Sequence, residues 1–179
     1  MDTFFEQIVV RKKRTMEAAT YFLSIFFGAL AMCVSLFLTF LFIGSFFSVL
    51  FILVTVALGV GIWWVISRSY IEFEYSVTNS YFDIDRIVGR KKRERLISTE
   101  CAQFEEMGWY TTDVAEKFKN RSFDAKVMAC NTVDAGLLYI TVRHPRLGNT
   151  LVVIQPDDRI KSALKKFTPR MVQGNVFDG

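Results

Sequence analysis

The residue types that usually carry out chemistry are sparse in this chain. There is one histidine, His144, in the stretch His144-Pro-Arg-Leu-Gly-Asn149, which reads as a loop. A lone loop histidine without a nucleophile or a second ligand is a surface residue first. Of the three cysteines, Cys33 lies in the long apolar run, and Cys101 and Cys130 show neither metal-ligand spacing nor a partner histidine; buried thiols in a reduced, cytoplasmic setting are the simpler reading, a disulfide being allowed but not required. Glu72, Glu74, Asp83 and Asp85 alternate along two neighbouring stretches. They could bind a cation, but the solvated face of a β-hairpin explains them more simply. No phosphate-cradling glycine loop, nucleophile elbow or His/Cys metal set is present. The expectation is therefore a non-enzymatic protein with no catalytic residue, no metal and no cofactor. An enzyme acting on lipid or peptide beside a membrane is the weakest of the readings kept.

The stretch that positions everything else is Ala18 to Ser67. It contains no Asp, Glu, Lys, Arg, His, Asn or Gln. A bilayer core is crossed by about 20 helical residues, so this run is too long for one helix and suits two. Soluble helices need a polar face, which the run lacks. Gly44-Ser45 is the natural turn, giving spans of about 18–43 and 46–67. A cytoplasmic segment, 1–17, precedes the hairpin. After it come a cytoplasmic domain, 68–170, and a flexible tail, 171–179.

Charge sets the orientation. Arg11, Lys12, Lys13 and Arg14 stand just before the first span, and Arg68 and the Arg90–Arg95 cluster follow the second, while the turn is uncharged. The positive-inside rule places both termini in the cytoplasm of a multi-pass inner-membrane protein. Trp63, Trp64 and Tyr70 suit the interface. Phe4, Phe5, Ile8 and Val9 recur at helical spacing, which predicts a short amphipathic segment lying in that interface. The overall charge of +4 is too mild to suggest a nucleic-acid partner.

Ser24, Gly28, Ala31, Ser35 and Thr39 form a small-residue stripe on the first span; Ser48, Thr55 and Gly59 have similar spacing on the second. Such faces allow close helix approach. They serve the hairpin itself, a partner helix or self-association. Neither span holds an ionisable group, which argues against proton-coupled transport.

Beyond the hairpin, Ile71–Thr78 alternates apolar and polar residues, Asn79-Ser80 marks a turn, and Tyr81–Val88 follows as a second strand. A two-residue turn pairs Val77 with Phe82, Tyr75 with Ile84, Phe73 with Arg86 and Ile71 with Val88, and extends to Arg68 opposite Lys91. The basic turn Gly89–Arg93, continuing to Arg95, then returns toward the membrane. Arg90, Lys91, Lys92, Arg93 and Arg95, with Arg11 to Arg14, are the candidate contacts to anionic lipid. Leu96–Thr99 reads as a third strand, and 100–121 is mixed with a short helix capped by Thr111 or Thr112. Phe123–Cys130, Leu137–Arg143 and Thr150–Gln155 read as successive antiparallel strands. A last helix runs from Pro156-Asp157 to Pro169, with Ile160, Ala163, Leu164 and Phe167 on one face.

Strands, a short insert, more strands and one amphipathic helix form an order that resembles the bacterial pleckstrin-homology-like domain. The residues that carry the resemblance are Tyr75-Ser-Val-Thr-Asn79, Phe82-Asp-Ile-Asp85, Gly89-Arg-Lys-Lys-Arg-Glu-Arg-Leu-Ile97 and Pro156–Pro169. With its hairpin, the whole chain resembles a group of small Firmicute membrane proteins. The resemblance implies an α+β membrane protein: a two-helix transmembrane hairpin, then a PH-like antiparallel β-barrel or sandwich closed by a C-terminal helix. The function expected is a membrane-anchored interaction or scaffold protein with the phospholipid bilayer and a protein partner, or itself, as partners. An anionic-lipid headgroup sensor acting through 90–95 is the alternative.

Overall fold

The computed structural model describes residues 4–11, 15–131, 136–173 and 176–177. Its strands are β1 (Phe4–Val10), β2 (Ile71–Thr78), β3 (Tyr81–Val88), β4 (Lys92–Glu100), β5 (Phe104–Trp109), β6 (Ala125–Ala129), β7 (Leu138–His144) and β8 (Gly148–Ile154). Its helices are α1 (Thr15–Leu41), α2 (Phe46–Arg68), α3 (Thr112–Asn120) and α4 (Asp158–Phe167). The chain forms two compact units. One is residues 13–70; the other combines residues 1–12 with 71–179.

The helical unit follows from its composition. Stretches of 24 and 23 residues, Ala18–Leu41 and Phe46–Arg68, are long and apolar enough to cross a membrane. At 1.5 Å per residue each reaches about 35 Å. Their large side chains are exposed along most of both helices, Phe22, Phe40 and Phe46 among them, which distinguishes them from the buried helices of a soluble core. Gly44, at φ +88°, makes the turn between them, a conformation that glycine adopts without cost.

The β unit corrects the N-terminal expectation. Residues 4–10 form an edge strand, with Phe4 opposite Thr78 and Val10 opposite Glu72. They do not form the amphipathic helical segment expected. The folded domain therefore begins before the hairpin, and the helices are inserted between two neighbouring strands of one sheet. That sheet has the order β1-β2-β3-β4, and a second has the order β5-β7-β8-β6. The β2–β3 register is the expected one, from Ile71 opposite Val88 to Thr78 opposite Tyr81. Its extension fails, because Arg68 ends α2. In the second sheet β6 pairs with β8 in parallel, where successive antiparallel strands were expected. The architecture is two sheets rather than a closed barrel.

The core lies between the sheets. Tyr75, Val77, Phe82, Ile84 and Ile97 meet Leu138, Ile140, Val142, Val152 and Ile154, and α4 adds Ile160, Ala163 and Leu164. Asp157 caps α4, its Oδ1 accepting from Ile160 N at 2.8 Å. The chain after α4 packs instead of trailing. Val172, Val176 and Phe177 lie on the core, and Gln173 Nε2 donates to Lys165 O and Thr168 O at 2.8 and 2.7 Å, satisfying carbonyls at the helix end. Within the segment expected to be a flexible tail, positions 172, 173, 176 and 177 make these contacts, while Met171 is exposed.

Candidate functional site

The densest charge lies on the outer face of the first sheet, where a bulge arranges it. From Tyr81 to Ile84 the register places Ile84 opposite Ile97; one step later Asp85 pairs with Arg95 and Ile87 with Arg93. Leu96 is the extra residue. With an unbroken register, Arg93 and Arg95 would point to the core face. The bulge turns both toward the acidic row of β2 and β3. Arg93 then donates to Glu74 and lies 3.9 Å from Asp85 Oδ2. Arg95 reaches Asp85 Oδ1 at 3.3 Å and Asp83 Oδ2 at 3.8 Å. Arg90 Nε sits 3.8 Å from Glu72 Oε1 on the same face, while on the opposite face Arg86 Nη2 donates to Glu94 Oε2 at 2.8 Å.

The carboxylates are more enclosed than the arginines. Glu74 and Asp85, opposite one another across the ladder, are 7% and 6% exposed. Burial raises the Glu74 pKa, and Arg93 opposes that rise. The face is thus a neutralised lattice instead of a solvated acidic surface. Residues 72–95 place six cations (Arg86, Arg90, Lys91, Lys92, Arg93, Arg95) beside five carboxylates (Glu72, Glu74, Asp83, Asp85, Glu94), a net +1. Of the expected lipid contacts, Arg93 and Arg95 lie on strand β4 and are engaged within the sheet. Arg90 and Lys91 occupy the turn and Lys92 opens β4. Gly89 and Arg90 take the left-handed conformation there, at φ +61° and +58°. Arg11 is described, its backbone N donating to Ile71 O at 3.0 Å. Lys12, Lys13 and Arg14 lie outside the described residues.

A second set of contacts fixes β1. Gln7 Nε2 donates to Gln155 O at 3.0 Å, and Gln7 Oε1 accepts from Asp157 N at 2.8 Å. The buried Tyr75 hydroxyl donates to Ala129 O and accepts from Gln155 N at 3.3 Å. Burial raises the pKa of this phenol, so it stays protonated and keeps its donor. These side chains join the first sheet to the β8–α4 junction. Neither Gln7 nor β5 is marked by a motif in the sequence; the β-former run Phe4-Phe-Glu-Gln-Ile-Val-Val10 is the one signal for β1.

In the hairpin, Ser35 Oγ donates to Phe51 O at 2.9 Å, and Thr55 Oγ1 donates to Ser35 Oγ at 3.0 Å. A Cβ added at Gly28 would lie 3.0 Å from Ile62 Cγ1, so this glycine sits where the helices approach closely. Ser24 bonds back to Tyr21 O at 2.8 Å. Ser24 and Ala31 line two apolar grooves of about 390 and 580 Å³ along the α1–α2 seam. Gly59 does not reach that seam; nothing lies within 4 Å of a Cβ added there.

The remaining chemical candidates are structural. His144 Nδ1 accepts from the backbone N of Arg146 and of Leu147, each at 3.2 Å, and so holds its own turn. Cys101 and Cys130 are buried and free. Burial pushes the Cys101 thiol up to about 12 and raises that of Cys130, so both resist forming the reactive thiolate. Among the described residues, no group of three or more His, Cys, Asp or Glu is placed to hold a metal ion.

A family model described as a bacterial PH-like domain (DUF6106) matches residues 1–174. The chain belongs to that family. The match runs from before β1, through both apolar helices, to beyond α4, so the split domain and its inserted hairpin fall within one family unit. Domains of this PH-like kind are generally non-catalytic. No curated protein and no solved structure matches the chain.

Proposed function

We propose that this PH-like protein is a membrane-anchored, non-enzymatic interaction module whose β domain works at the cytoplasmic face. The observation that carries the reading is the insertion of α1 and α2 between β1 and β2. Hydrogen-bonded neighbours must lie on one side of a membrane, so the inserted segment crosses an even number of times. Two spans of adequate length meet that requirement, and the basic flanks favour the cytoplasm for the shared side. The paired arginines, the buried thiols and the turn-holding His144 leave an interaction surface as the working part. Reporter fusions at Gly179 and Gly44 test the topology: cytoplasm and outside are expected, and the reverse would overturn the orientation. Site-directed crosslinking from native membranes tests the interaction role. Reproducible adducts to one protein through the β domain are expected; their absence from every surface strand would count against the reading.

A second reading, contact with anionic lipid, is favoured by one observation. Val88 pairs with both Ile71 and Lys92, so the turn 89–91 lies at the end of the sheet where β1 ends and β2 begins. The reading therefore narrows to Arg90, Lys91 and Lys92 with Arg11 to Arg14. Each cation near an anionic leaflet contributes about 1 kcal/mol. In flotation with anionic liposomes, neutralising Arg90, Lys91 and Lys92 in the β domain should reduce binding; insensitivity would refute lipid contact.

A further inference from the structure

The two sheets present four edge strands, and three carry features that block pairing. Strand β4 opens with Lys92, Arg93, Glu94 and Arg95 and contains the bulge. Strand β5 has a register break between Phe104 and Glu106, and β6 is five residues long and carries Lys126. Charge, bulges and short length are the usual protections of an edge. Strand β1 differs: its register against β2 is unbroken from Phe4 to Val10, and it contains no Lys, Arg or Pro.

The ladder also shows which backbone groups of β1 point outward. Arg11 N donates to Ile71 O, so Arg11 and Ile71 form a hydrogen-bonded pair. In an antiparallel ladder such pairs alternate. Phe5, Gln7 and Val9 therefore bond to β2, and Phe4, Glu6, Ile8 and Val10 turn their N–H and C=O groups away from it. Among the described residues, no hydrogen bond or ion pair engages those four. Their side chains share one face; Phe4, Ile8 and Val10 are 61%, 54% and 53% exposed, with Glu6 between them.

We infer that the outer edge of β1 is a docking site for one extended segment of a partner protein, which adds a strand to the first sheet. This rests on the interaction-module reading above and names its surface. A row of unpaired peptide groups is complementary to another strand, and the side chains set the sequence it takes. An antiparallel partner places apolar residues opposite Val10, Ile8 and Phe4 and a basic residue opposite Glu6. The motif is apolar-x-apolar-x-Lys/Arg-x-apolar, recognised by backbone pairing, an apolar ridge and one charge pair.

The test uses the full chain in detergent micelles and a blocked, fluorescently labelled peptide, Thr-Val-Thr-Val-Thr-Lys-Thr-Val-Thr, read by anisotropy. Saturable binding is expected. N-methylating the valine opposite Ile8 should weaken it about tenfold, through the loss of one backbone bond and the steric block of the methyl group. Ile8→Pro should weaken it to a similar extent, because it removes an outward N–H and leaves the β1–β2 bonds in place. Glu6→Lys should weaken binding about fivefold and restore it for a peptide with Glu in place of Lys. Absence of saturable binding at millimolar peptide would overturn the proposal, as would unaltered affinity of the N-methylated peptide. A dimer in sedimentation that Ile8→Pro converts to monomer would also overturn it, because the edge would then be filled by a second copy. Crosslinks to a partner through another face, with no peptide binding at β1, would sink this inference alone and leave the interaction reading standing.

Discussion

Gln7 provides a sharp test of whether the domain is truly assembled from both sides of the hairpin. Its amide bridges to two backbone groups about 150 positions away, Gln155 O at 3.0 Å and Asp157 N at 2.8 Å. Gln7→Ala removes both bonds and leaves a carbonyl and an N–H without their partner. Each hydrogen bond contributes about 1 kcal/mol net, and a fully buried orphan costs about 1–3 kcal/mol. Gln155 and Asp157 are only half-buried, so water compensates in part and the expected loss is about 2 kcal/mol. For a unit of this size that lowers the melting temperature by about 6–10 °C. Gln7→Glu should be worse, since it keeps an acceptor for Asp157 N but turns an anion toward the Gln155 carbonyl. Tyr75→Phe acts on the same residue through Gln155 N, so the double variant should depart from additivity by more than about 0.5 kcal/mol. The measurements are thermal unfolding of the full chain in micelles by circular dichroism and hydrogen exchange at the Asp157 amide. An unchanged melting temperature together with unchanged exchange would refute the clamp, and with it the placement of β1.

Replacing residues 12–70 by Asn-Gly should join the paired residues Arg11 and Ile71 through a two-residue hairpin turn. The expected product is a soluble, folded β domain, whereas residues 71–179 alone should aggregate through the exposed edge of β2; gel filtration distinguishes them. Gly28→Leu should force α1 from Ile62 and destabilise the hairpin, while Gly59→Leu should leave it intact, as read by proximity-based crosslinking between engineered cysteines in α1 and α2. Glu74 has a raised pKa in the fold, so it binds a proton more tightly than in the unfolded chain. Stability therefore falls as pH rises from the ordinary carboxylate range through the folded value, and Glu74→Gln should flatten that slope in unfolding titrations. In a Cys33→Ser background, Cys101 and Cys130 should resist a polar maleimide until the chain is denatured, and mass spectrometry would show the labelling.

The sequence disclosed what local pattern specifies. Fifty residues without charge or amide gave two long helices, alternation and an Asn-Ser turn gave the β2–β3 register to the residue, and the Ile160–Phe167 stripe gave α4. What it hid depends on distance or on a single inserted residue. Strand β1 pairs across some sixty residues, and its apolar positions satisfy helical and strand periods alike because both faces of the edge carry large side chains. The parallel pairing of β6 with β8 passes over β7, an outcome that alternation alone does not encode. The basic cluster is divided in a way that composition does not display. Counting Arg93 and Arg95 as turn residues ignored the bulge at Leu96, which assigns them to Glu74, Asp83 and Asp85. The acids that read as a solvated face are the partners those arginines require.

The inserted hairpin also bears on how the domain closes. Bringing β1 to β2 through a flexible loop of this length would cost about 3.6 kcal/mol in its length-dependent entropy alone. Two packed helices lie about 8–10 Å apart, about twice the 4.7–4.9 Å between paired strands, so a formed hairpin leaves its two ends only a few ångström from the separation that β1 and β2 need, far nearer than the ends of a flexible loop. The connectors are short: residues 11–14 lead into α1, and Ser69-Tyr70 leads out of α2. Ser35, Thr55 and Gly28 draw α1 and α2 together, and through chain connectivity alone that packing should favour β1–β2 pairing. Loosening the seam should consequently raise hydrogen exchange in β1 before it affects β7 or β8. Equal protection of β1 with the seam intact and loosened would show that the strand is held by Gln7 and its ladder alone.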